Sequence, residues 1–69
     1  MSKDQLKEGV KILLTLENEV RVKANIQFVL GATETIIVTY KDAQRRLVYK
    51  PFPEAYIQEN AELFNSPVR

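Results

Sequence analysis

The chain has 69 residues and a mass of 8.0 kDa, enough for one small domain and too little for most enzyme architectures. It contains neither cysteine nor histidine, which excludes disulfides, a structural zinc site and any catalytic relay built on those side chains. Ten Lys and Arg against nine Asp and Glu leave a formal charge of +1, well short of the basic excess of a generic nucleic-acid binder.

A chain this short hides only about 60% of its unfolded surface on folding. With no disulfide or zinc to help, self-association is the compensation that remains. Charge is unevenly placed: residues 1–51 carry nine basic and six acidic groups, and residues 52–69 carry one and three. The polar start, Met1-Ser2-Lys3-Asp4-Gln5, lacks the apolar run of a signal peptide. No apolar run approaches the roughly 18 residues that span a bilayer, so a cytoplasmic protein without membrane contact is expected.

In chain order, Ser2–Glu8 reads as a short helix. Ser2 and Gln5 have the spacing of a capping box, and Gly9 suits the left-handed position past its end. From Val10 the period becomes two. Val10, Ile12, Leu14 and Leu16 share one face of a strand, and Glu17-Asn18-Glu19 fits a tight turn in which Asn18 tolerates a left-handed backbone. Val20, Val22, Ala24, Ile26 and Phe28 then alternate with Arg21, Lys23, Asn25 and Gln27. After Leu30-Gly31-Ala32, the β-branched run Thr35–Tyr40 predicts a strand buried on both faces. Lys41–Gln44 has hairpin length, and Arg45–Lys50 alternates again.

Pro51-Phe52-Pro53 is expected to stop that strand, because neither proline can donate to a ladder. The following residues fit a short closing strand or a helix. The helix over about residues 54–64 is favoured, because it gathers Ile57, Ala61 and Phe64 on one stripe, with Asn65 to end it and Ser66–Arg69 as a tail. Four short strands with helical ends predict one domain over residues 1–69. Its fold class is mainly β, a small, strongly bent antiparallel SH3-like barrel with a sheet edge open to a neighbouring chain.

Catalysis has few candidates. Ser2 and Ser66 lie in terminal segments, and the carboxylate pairs Glu17/Glu19 and Glu59/Glu62 read as solvated. Gly9 and Gly31 are the only glycines, so no phosphate-cradling loop exists. No enzyme activity, metal or cofactor is expected. Among the basic residues, Arg21 and Lys23 share one strand face, while Arg45, Arg46 and Lys50 cluster at the fourth strand. Tyr40 and Tyr49 offer stacking faces. A solvated strand face is the plainer reading of Arg21 and Lys23.

The order of short helix, strand, polar turn, second strand with a small residue midway at Ala24, apolar third strand and Val48-Tyr49-Lys50 resembles the Sm-like family, including LSm proteins and bacterial Hfq. Glu19 stands where that family has its turn glycine, Ala24 where it has its strand-two glycine, and Leu30 where it has an acidic residue. Pro51 takes the place of the histidine after Lys50. The resemblance implies an Sm-like barrel assembled as a homo-oligomeric ring that binds single-stranded RNA. Tyr49 and Lys50 would then lie near the pore, and Arg21 and Lys23 would form a second RNA-binding face. The alternative is an SH3-like protein-interaction or scaffolding module with no nucleic-acid role.

Overall fold

The computed structural model describes residues 1–64, so Asn65 and the tail 66–69 lie outside the described residues. Strands form where the sequence alternates or is rich in β-branched residues: β1 (Lys11–Thr15), β2 (Arg21–Leu30), β3 (Thr35–Lys41) and β4 (Leu47–Pro53). Helix α1 (Glu54–Asn60) follows, and then a short β5 (Ala61–Leu63). All pairings are antiparallel, and the sheet order is β4-β3-β2-β1-β5. One face carries the core, in which Ile12, Leu14, Ile36, Val38 and Ile57 are fully buried. Burying each of these side chains contributes about 1.5–3 kcal/mol.

The expected barrel is not what forms. The sheet is open, with β4 and β5 as separate edges that do not hydrogen-bond to each other. Helix α1 bridges these edges in sequence and packs on β1, β3, β4 and β5, so a helix rather than a strand pairing covers the core. Its Tyr56 ring stacks on Phe52 at 5.0 Å, and the Tyr56 hydroxyl donates to the Thr15 carbonyl at 2.6 Å.

The second strand departs from simple alternation. Ile26 opposes Val38 and Phe28 opposes Ile37, which leaves Gln27 as an extra residue in a β-bulge. On the other side, Gly9 N–H donates to Ile26 O while Ile26 N–H donates to Val10 O, so two residues again face one. The inward phase therefore passes from Val22, Ala24 and Ile26 to Val29. Phe28, expected on the core side, is 45% exposed.

Other boundaries move for physical reasons. The N-terminal helix is one 3₁₀ turn, Lys3–Gln5, because Leu6 is the one residue of Ser2–Glu8 buried in the core, too few to hold a longer amphipathic helix. The Gln5 side-chain oxygen Oε1 accepts from Ser2 N–H at 3.0 Å, the Gln5 half of the expected box. Pro51-Phe52-Pro53 does not stop β4, because an edge strand tolerates proline wherever its nitrogen faces outward. Helix α1 ends at Asn60 rather than near 64, because Ala61–Leu63 is taken up as the outer partner of β1. Phe64 therefore leaves the expected helical stripe. β3 is buried on both faces only at its centre, where Val38 and Thr39 are both buried and Ile37 is half-buried.

The two outer hairpins share one turn. Leu16 N–H donates to Val20 O and Glu19 N–H to Leu16 O, and Asp42, Arg45 and Arg46 repeat the pattern. The left-handed position falls on Glu19 (φ 67°) and Arg45 (φ 65°), where glycine is the usual occupant. Asn18, expected to be left-handed, instead accepts from Val20 N–H through its side-chain oxygen at 3.2 Å. Asp42 Oδ1 likewise accepts from Gln44 and Arg46 N–H.

Three expectations follow for urea unfolding. Glu19→Gly should stabilise by about 0.5–1 kcal/mol by relieving the left-handed strain. Gly9→Ala should destabilise by about 1 kcal/mol through its φ of 90° alone, since nothing lies within 4 Å of an added Cβ. The bulge predicts that Ile26→Ala costs about 2–5 kcal/mol and Phe28→Ala clearly less. An unbulged β2 would give both residues comparable losses.

Candidate functional site

The face of the sheet opposite the core is set by register. Asn25, Thr39 and Tyr49 lie side by side across β2, β3 and β4, with Lys11 next to Asn25 on β1. One step along the strands, past the bulge, Phe28, Ile37 and Pro51 form an apolar row, followed by Leu30, Thr35 and Pro53. Toward the other end, Lys23 pairs with Leu13 and Lys41 with Leu47. This outer face thus divides along the strands into a cationic half and an apolar half.

The cationic half holds a shallow depression of about 430 Å³ lined by Lys23, Asn25, Thr39, Lys41 and Leu47, among others. Thr39, only 4% exposed, belongs to this lining although it faces away from the core. A second depression of about 210 Å³ shares Lys23 and Asn25 with the first and extends to Lys11 and Phe64. Lys23 Nζ stands 4.8 Å from the centroid of the Phe64 ring. Together the two depressions run across the strands from Phe64, just after β5, to Leu47 on β4.

The residues expected to bind RNA form two sets, Tyr49 with Lys50 and Arg21 with Lys23. Tyr49 is 59% exposed on the outer face. Lys50, the next residue, points to the opposite face, where its Nζ lies 5.5 Å from the Phe52 ring centroid. Arg21 and Lys23 do share the outer face with Tyr49. Arg21, however, is held by Glu62 at 2.6 Å in an exposed ion pair. Sequence reading missed Lys11, Thr39, Lys41 and Phe28 as site residues. Pairing each strand's outward positions with those of its neighbours would have brought the first three together, but the bulge hid Phe28.

Both sheet edges are partly blocked as templates for further strands. Glu54 N–H reaches back to Glu34 O at 2.8 Å, so by alternation Pro51 and Pro53 turn their nitrogens to the free edge of β4, where they donate nothing. At β5, Ala61 N–H bonds to Ile57 O and its carbonyl accepts from the Met1 amino group at 3.4 Å. A further depression of about 430 Å³, between the two outer hairpin turns, is lined by Leu16, Val20, Val22 and Tyr40 with Lys41 and Asp42 beside them. Among the described residues there is no cluster of three or more metal-ligating side chains, and no helix is long and apolar enough to cross a membrane.

No protein-family model, curated protein or solved structure matches this chain. The expectation of an Sm-like ring acting on single-stranded RNA is therefore corrected. The sheet does not close into a barrel, the proposed pore residues Tyr49 and Lys50 face opposite ways, and no family match supports the assignment.

The Arg21–Glu62 pair yields a stability prediction. Both side chains are more than half exposed, so solvent screens their attraction. Glu62→Gln should lower stability by less than about 1 kcal/mol, and the difference should vanish in 1 M salt. A larger, salt-independent loss in thermal unfolding would mean that the pair is structural.

Proposed function

We propose that this protein is a non-catalytic interaction module that docks a polypeptide partner on the outer face of its sheet. The observation that carries this reading is the contiguous apolar surface of Phe28, Leu30, Ile37 and Pro51, with Tyr49 beside it, on the face away from the core. Phe28, Leu30 and Tyr49 are each more than 40% exposed. Apolar patches of this kind, rimmed by polar groups, commonly mark protein contact sites. Aromatic residues flanked by small polar ones supply contact area at little entropic cost, and Tyr49 beside Thr39 and Asn25 has that character. A rigid sheet suits recognition, since ordering the surface adds little to the cost of binding.

The test is selection of peptides from a random display library against the folded protein, followed by mapping of amide shifts. Selected peptides should shift the amides of Phe28, Ile37 and Tyr49 and bind at least tenfold more weakly to Phe28→Ser. That variant should keep its fold, because the residue is exposed. Shifts confined to the opposite face, or undiminished binding by Phe28→Ser, would defeat the proposal. Sedimentation of the free protein adds a second check. A stable dimer abolished by Phe28→Ser would make the patch a contact between two copies and would also overturn the partner reading.

A further inference from the structure

The interaction reading names a face, and the charges on that face specify what it takes. We infer that the partner segment is acidic at one end and apolar at the other, and that it lies extended along the strands with its carboxylates over Lys11, Lys23 and Lys41. This inference rests on the docking face proposed above and adds the chemical class and polarity of its occupant.

Charge complementarity carries the argument. The two depressions of the cationic half are lined by three lysines, by Asn25 and Thr39, and by no carboxylate among the described residues. The one acidic side chain that the register brings to this end of the outer face is Glu62, and it is already paired with Arg21. Lys11, Lys23 and Lys41 have no ion-pair partner among the described residues, whereas Lys3 is matched by Glu54. The lysines are thus available to an incoming anion. Asn25 and Thr39 between them add neutral hydrogen-bonding groups that suit a peptide backbone or a carboxylate.

The apolar half sets the other end. Lys23 and Phe28 lie on the same strand and the same outer face, five positions apart with one residue taken up by the bulge. At about 3.3 Å per residue the two centres are roughly 15 Å apart, the span of four or five extended residues. A bound segment would therefore carry its acidic residues about that far from its apolar ones. The neighbouring strands widen each end of the contact, with Lys41 and Lys11 at one and Ile37 and Pro51 at the other. A second copy of this chain is a poorer fit, because two such faces laid with their cationic ends together would oppose like charges, and laid head to tail would bury unpaired lysines against apolar rows.

The experiment uses two synthetic 12-residue peptides, one with acidic residues in its first half and Leu and Phe in its second, the other with lysine replacing every acidic residue. Dodecathymidylate serves as a polyanion control. The acidic–apolar peptide should bind, shifting the amides of Lys23, Asn25, Thr39 and Phe28. Lys23→Glu with Lys41→Glu should weaken it about tenfold or more, and affinity should fall as salt rises. Equal binding of the lysine peptide, or indifference to the Lys23→Glu/Lys41→Glu variant, would overturn the acidic class. If Phe28→Ser still abolished binding in that case, the docking face itself would stand. Loss of both sensitivities would remove the docking face as well. Binding of dodecathymidylate as strong as that of the acidic–apolar peptide would overturn the inference in favour of a general polyanion surface.

Discussion

The structure depends on where β2 bends. This ten-residue strand lies at the centre of the sheet and pairs with β1 on one side and β3 on the other. Its ladder is interrupted on both sides within Ile26–Phe28, by Gly9 and Val10 facing Ile26 and by the extra Gln27 opposite β3. Bulges strengthen twist and bend the strand that carries them. The bend keeps both halves of the strand on one core, placing Val22 and Ala24 beside Leu14 and Ile12, Ile26 beside Val38, and Val29 beside Ile36. Without it, Phe28 would compete for the core and the apolar outer row would not exist.

Much of this was legible in the sequence. The alternation from Val10 to Ile26 gave the strands, their inward residues and the hairpin between them, because burial of one face imposes a period of two. Ile57 as a buried helical residue was also readable from its spacing. Phe28 was not, since a single inserted residue reverses the phase and leaves no mark in composition. The prolines misled for a related reason. They forbid a central strand, but whether a strand is central or at an edge is decided by the whole sheet. The change from helix to strand at Ala61 was likewise set from afar, by the unpaired outer side of β1.

The outer face was half legible. Arg21 and Lys23 were recognisable as a basic pair on one strand. Their neighbours Lys11 and Lys41 come from strands about ten and twenty residues away, and only the register brings them together. Family resemblance pointed instead to Tyr49 and Lys50, and consecutive residues of a strand necessarily face opposite sides. A linear signature cannot form one surface in a segment with that geometry.

The pairing of β1 with β5 has a kinetic consequence. Ile12 meets Leu63 across about fifty intervening residues, while every other strand pair joins neighbours in the chain. The meander from β1 to β4 can form from local hairpins, each closing a short loop at small entropic expense. The last strand must then find an edge made long before it. During synthesis, the outer side of β1 would stay unsatisfied until residues 61–63 emerge. Over that interval it is the nascent sheet's exposed edge, whereas β4 carries its own protection in Pro51 and Pro53.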